Sequence, residues 1–154
     1  DPALNPDDLV IDRPMLEAAL QETESSFHES IIIRTLPNSD DKKSRDYMQQ
    51  TPSFFTVEAM HYLVSLQLRH LLVDMPSVDR LFDEGKLSVY HIFWGLPAGA
   101  HSAGNQPQQD RTITEMIYVP AQIADGKYLL NLQIAPFMAD AAPSRPVLYA
   151  LNPA

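Results

Sequence analysis

The chain has 154 residues, enough for one domain with a core of useful size, and its composition, 45% apolar and 20% charged, is that of a globular protein rather than a disordered one. The formal charge is −9, which argues against nucleic acid as a partner, because phosphate binding needs clustered Lys and Arg. There is no cysteine, so disulfides, thiolate catalysis and Cys-type zinc sites are excluded, and a metal site would have to use His, Asp and Glu.

Thirteen prolines and five glycines predict short elements broken by turns. "DDLVI" reads as a short strand and "DRPMLEAALQET" as a helix capped by Asp12, with Pro14 in its first turn. Its expected apolar face is Met15, Leu16, Ala19 and Leu20. "ESIIIRT" is a β-branched run, the pattern of a strand buried on both faces. A long polar loop, "LPNSDDKKSRDYMQQTPSF", follows, and connections of that length are often functional. In "DDKKSRD" the aspartates balance the basic residues, so no basic stripe exists.

"TVEAMHYLVSLQLR" keeps helical spacing at Val57, Met60, Leu63, Val64 and Leu68, with Thr56 as the cap. "HLLVDMPSVD" reads as a second buried strand ending at Asp74. Strand, loop, helix and strand then make a βαβ unit with a parallel pair. "GLPAGAHSAGNQPQQDR" is a loop. "TITEMIYV" alternates like a strand, "PAQIADG" reads as a helical turn, and "KYLLNLQIAPF" and "RPVLYAL" read as closing strands. The class is α/β with a mixed sheet. No apolar run is long enough to span a membrane and no signal peptide is visible, so a cytoplasmic protein is expected.

Open α/β sheets bind ligands at the carboxyl ends of their strands. Asp74, Ser77 and Asp79 lie just past such an end, where Asp and Ser also serve as ordinary turn residues. Glu115 stands inside an apolar strand, either facing outward or paired, since a lone buried carboxylate is costly. His91, in "KLSVYHIFWG", is either a structural histidine or a metal ligand or proton carrier at the lip of a cleft. His61 and His70 read as structural, and His28 and His101 as surface residues. None of the common metalloprotease, esterase, P-loop or dinucleotide motifs is present.

In order, "SIIIRTLPN", "FTVEAMHYLVSLQLRHLLVDMPSVDR", "KLSVYHIFWG", "TITEMIYVP" and "GKYLLNLQIAPFMADAAPSRPVLY" resemble the cyclase-like metal-dependent hydrolases, the family of bacterial kynurenine formamidase. The resemblance runs from about Asp8 to Tyr149, and its most specific stretch is "LLVDMPSVD". It implies a swivelling β/β/α domain over residues 1–154, with His91 as a metal ligand or acid–base group and Glu115 as a carboxylate ligand. It also implies a divalent metal, zinc or else manganese, that would activate water against a formamide or cyclic amide. Phe93 and Trp94 would line an aryl pocket or pack in the core.

Two departures from the family stand out. Its N-terminal H-x-G-T-H-x-D-x-P signature, which supplies most metal ligands, is absent, so the chain reads as an N-terminally truncated domain or as a member without the metal centre. The loop around "PAGAHSAGNQPQQD" also sets His91 and Glu115 further apart than is usual, with His101 a candidate substitute ligand. Missing strands would expose sheet edges and apolar surface, which implies a partner: the missing segment, another chain, or a second copy in a homodimer or higher homo-oligomer. The rival is a non-catalytic binding or assembly domain that keeps the fold.

Overall fold

The structure is a computed structural model, and it describes residues 3–100, 102 and 110–151. The chain divides into two compact units, Asp1–Pro120 and Ala121–Ala154.

The first unit is α/β. Its elements are β1 (Val10–Ile11), α1 (Arg13–Leu20), β2 (Ser30–Ile33), β3 (Phe54–Phe55), α2 (Val57–Ser65), β4 (His70–Val73), α3 (Ser88–Trp94) and β5 (Thr112–Thr114). Both expected caps are made. Asp12 accepts from the Met15 amide at 2.9 Å, and Thr56 accepts from the Ala59 amide at 3.2 Å. Each satisfies a donor that the helix leaves without a partner.

The main sheet is parallel in the order β2-β4-β5. Ser30 is opposite His70 and Ile33 opposite Val73, while Leu71 is opposite Ile113. β4 is therefore the central strand, and Leu71, Leu72 and Val73 are fully buried. Burial on both faces, expected for "ESIIIRT", belongs to "HLLV" instead. β2 lies at an edge of the described sheet; only Ile31 is buried there, with Ile32 and Ile33 half-buried. Two residues each of β1 and β3 form a separate parallel pair, Val10 with Phe54 and Ile11 with Phe55.

α2 packs against α1 and α3. The core gathers Ala59, Met60 and Leu63 of α2 with Leu71 and Val73 of β4 and Phe93 of α3. α1 contributes less than its spacing suggests. Leu16 is buried and Leu20 half-buried, whereas Met15 is 56% exposed and Ala19 is also exposed. Phe93 is fully buried in this core, so it lines no pocket, and Trp94 stacks on Tyr90 with ring centroids 5.7 Å apart.

β5 is shorter than "TITEMIYV". The strand stops at Thr114, and Met116 takes the left-handed conformation with φ 56°. The chain nonetheless stays against β4, with the Met116 amide donating to Met75 O at 3.0 Å and the Ile117 amide to Val73 O at 3.1 Å. A positive φ is costly for a side chain such as methionine, and such residues gather at sites that need an unusual backbone.

The second unit is an antiparallel hairpin of β6 (Tyr128–Ile134) and β7 (Ser144–Ala150), in register from Tyr128–Ala150 to Ile134–Ser144. Parallel and antiparallel pairing both occur, in separate sheets. "PAQIADG" forms turns and not a helix. Among the described residues no helix is long and apolar enough to cross a membrane.

The contrast between α1 and α2 has a direct check. Leu63→Ala removes a fully buried side chain and should cost about 2–5 kcal/mol in urea unfolding, whereas Met15→Ala should stay within about 0.5 kcal/mol. Equal losses would contradict the placement of the core.

Candidate functional site

The polar residues of interest gather where the three parallel strands end. Thr35 follows β2, the turn from Asp74 to Asp79 follows β4, and Glu115 follows β5 directly. Ligand sites in α/β sheets form at this carboxyl edge.

Asp74 is buried, its side chain 1% exposed, and it is fully engaged. Oδ2 accepts from Lys42 Nζ at 2.7 Å and from the Thr35 amide at 2.9 Å, and Oδ1 accepts from the Thr35 hydroxyl at 3.0 Å. Lys42 is as deeply buried, and Nζ also donates to the carbonyl and hydroxyl oxygens of Thr35. A buried charge persists only when paired and hydrogen-bonded, and here both conditions are met. In the sequence, Lys42 looks like part of a self-balanced surface run. Its neighbours do behave so: Lys43 pairs with Asp40 at 2.9 Å and Arg45 with Asp41 at 2.6 Å. Lys42 does not, and no local pattern sets it apart from them.

Asp79 closes the other end of the turn. Both carboxylate oxygens accept from the Val89 amide at 3.0 Å, and Oδ2 also accepts from the Tyr90 amide at 3.1 Å. These are the first amides of α3, which has no local cap: Leu87 precedes it in the left-handed conformation, with φ 50°. Asp79 thus caps the helix from ten residues upstream. Burial pushes the Asp79 carboxyl above its ordinary range, and the two amides oppose that push.

Between the turn and α3 sits a carboxyl–phenol pair. Glu115 Oε1 accepts from the Val78 amide at 3.1 Å and from the Tyr90 hydroxyl. The Tyr90 hydroxyl also lies 3.3 Å from Ser77 Oγ. Burial raises the Glu115 carboxyl above its ordinary value, and the Tyr90 and Val78 bonds offset part of the rise. Burial also raises the Tyr90 phenol, with the Glu115 carboxyl adding to the effect. Glu115 therefore faces inward and is paired, rather than pointing out from a half-exposed strand. Tyr90 is the member of this group that the sequence did not disclose.

His91 follows Tyr90 on α3 and is buried at 8% exposure. Its Nδ1 is enclosed and has no hydrogen-bond partner among the described residues, an exception among buried polar atoms that calls for a physical explanation. His70 lies at the start of β4, where Nδ1 meets the Thr112 hydroxyl at 2.9 Å. His28, expected at the surface, is buried, with Nε2 2.6 Å from the Thr23 hydroxyl. His101 lies outside the described residues.

Among the described residues no group of three His, Asp or Glu is placed to hold a metal ion. Among the described residues His91 Nδ1 has no partner and the bonds to Glu115 both go to Oε1, but a zinc centre takes about four ligands. The described donors alone do not fit a metal centre.

No protein-family model matches the chain, and none of the curated proteins matches it. A solved structure does, that of a predicted metal-dependent hydrolase from Bacillus stearothermophilus, with a TM-score of 0.58 and 16% identity over 92% of this chain. The two share a fold. The match spans 62% of the hydrolase's own length.

Two outcomes test this geometry. Lys42→Met strands the Asp74 carboxylate and should cost about 3–5 kcal/mol, while Lys42→Met with Asp74→Leu should recover most of the loss in urea unfolding. A carboxyl whose pKa rises on folding favours the folded state while it is protonated. For Glu115 that contribution is full below 4.5, its ordinary value, and is lost as pH rises through the raised value. The stability of Glu115→Gln relative to the parent should therefore grow from roughly pH 4 to pH 8. A flat difference would contradict the partial burial of Glu115.

Proposed function

We propose that this chain belongs to a metal-dependent hydrolase that cleaves the carbon–nitrogen bond of a small formamide or cyclic amide. The observation that carries the proposal is the half-buried Glu115–Tyr90 pair at the carboxyl edge of a parallel sheet whose fold is shared with a predicted metal-dependent hydrolase. The enclosed and unpartnered Nδ1 of His91 adds to it, because a histidine left so is open to a ligand or a proton. In this proposal Glu115 and His91 are the groups that this chain contributes to a metal, zinc or else manganese, and the further ligands come from residues other than those described.

The roles of the chain's own residues follow from the bonds they make. Asp79 holds the start of α3 and so fixes where Tyr90 and His91 stand. Tyr90 orients the Glu115 carboxyl, and Ser77 orients Tyr90. Partial burial raises the Glu115 carboxyl above its ordinary value, and a bound cation would hold it in the ionised form that a ligand requires. The proposed protein is a cytoplasmic homodimer or higher homo-oligomer, with no part for nucleic acid or membrane.

One observation favours a second proposal, a non-catalytic binding or assembly domain. Both oxygens of Asp79 and one of Glu115 are already spent on bonds that hold the turn to α3 and β5. Metal analysis and an amide-hydrolysis assay on the full protein, with His91→Ala and Glu115→Ala, separate the two. The hydrolase should bind a divalent metal and hydrolyse an aryl formamide, and each variant should lose about a hundredfold or more in turnover with metal content reduced. No metal and no turnover in the parent protein would leave the assembly domain standing.

A further inference from the structure

Apart from the Glu115 group, a cleft of about 120 Å³ opens beside the ends of β2 and β4. Thr35, Asp74 and Met75 form its sheet side, and the loop after β2 supplies Lys42, Arg45 and Tyr47. We propose that this cleft binds the carboxylate of a small organic acid. The proposal goes beyond the hydrolase reading and does not depend on it.

The charges in the cleft decide the ligand class. Asp74 lines it but repels no anion strongly, because Lys42 neutralises it and Thr35 occupies its remaining acceptor sites. Lys42 in turn has its donors turned inward, to Asp74 and to Thr35. Arg45 differs. Its bonds run from Nε at 3.2 Å and Nη2 at 2.6 Å to a single oxygen of Asp41, and Nη1 has no hydrogen-bond partner among the described residues. The Arg45 side chain is 22% exposed and Asp41 57%, so their ion pair is a surface pair that a competing carboxylate can replace at little cost. A guanidinium edge is planar and matches two carboxylate oxygens.

The remaining walls fix the rest of the ligand. Thr51, Ser53 and Tyr47 are polar lining residues, with the Tyr47 hydroxyl 3.4 Å from Asp74 O, while Pro52 and Met75 give buried apolar surface and Leu36 an exposed apolar rim. That is the usual make-up of a small-molecule site, apolar walls with a few placed polar groups. The volume suits an acid with a short apolar body rather than a drug-sized molecule, for which sites of roughly 300–1,000 Å³ are usual. The chain carries a net charge of −9, so anions do not gather on it unspecifically.

Benzoate serves as the probe and benzamide as its neutral counterpart, with binding to the full chain followed by calorimetry and by amide chemical shifts of the cleft residues. Benzoate should bind saturably, shift those residues and weaken with added salt, and benzamide should bind about tenfold more weakly or worse. Arg45→Gln should weaken benzoate about tenfold while thermal unfolding stays close to the parent's. Asp41→Asn frees the guanidinium and should strengthen it. The readout is binding alone, so it stands or falls separately from amide turnover. Equal binding of benzoate and benzamide, no saturable benzoate binding, or unchanged affinity in Arg45→Gln would each overturn the proposal.

Discussion

Two buried carboxylates at the ends of one turn hold the first unit's carboxyl edge together. Asp74 and Asp79 bracket the turn after β4, at 3% and 6% exposure. Ionised groups at such depth must be compensated, and the two are compensated differently. Asp74 meets a lysine and a threonine, one from the long loop and one from the end of β2. Asp79 meets the backbone amides that open α3. The loop, the central strand and the third helix are thereby tied to a single six-residue segment. Each tie reaches across the sequence, so the segment acts as a tertiary joint and not only as a local turn.

That arrangement explains which parts of the fold were legible. The caps of α1 and α2 were, because a cap is a bond between residues three apart and leaves its mark in the sequence. The parallel pairing of "SIII" with "HLLV" was legible from two aliphatic runs separated by a helical one. The burial of "HLLV" was legible too, but the partial exposure of "SIII" was not, since periodicity cannot say which strand of a sheet lies at its edge. α3 left no local mark either: its cap is Asp79, and the residue before it is a left-handed leucine, which no propensity favours. Lys42 is the plainest case. Three basic residues lie within four positions, and only tertiary packing decides which of them turns inward.

The candidate site divides in the same manner. Glu115 stood out as a carboxylate among apolar neighbours, and it is half-buried and hydrogen-bonded as that cost requires. Its partner did not stand out, because Tyr90 looks like one more aromatic in "VYHIFW". The backbone also matters here. Continuing β5 in regular strand geometry would alternate side chains across the sheet, whereas the strand stops at Thr114 and Met116, just past Glu115, is left-handed.

The bonds at Glu115 bear on how any hydrolase chemistry would have to be built. Val78 and Tyr90 both donate to Oε1, which leaves Oε2 as the oxygen open to a further partner. Carboxylates that bind metals are commonly steadied in this manner by an outer donor, and so are carboxyls that only lock a fold. What separates the two is whether a second donor faces the same space. His91 is one residue beyond Tyr90 on a short helix, so its ring leaves α3 about 100° around the axis from the phenol. Among the described residues its Nδ1 has no hydrogen-bond partner, and both hydrogen bonds at Glu115 go to Oε1, so the case for chemistry at this edge rests on Nδ1 and the remaining carboxylate oxygen.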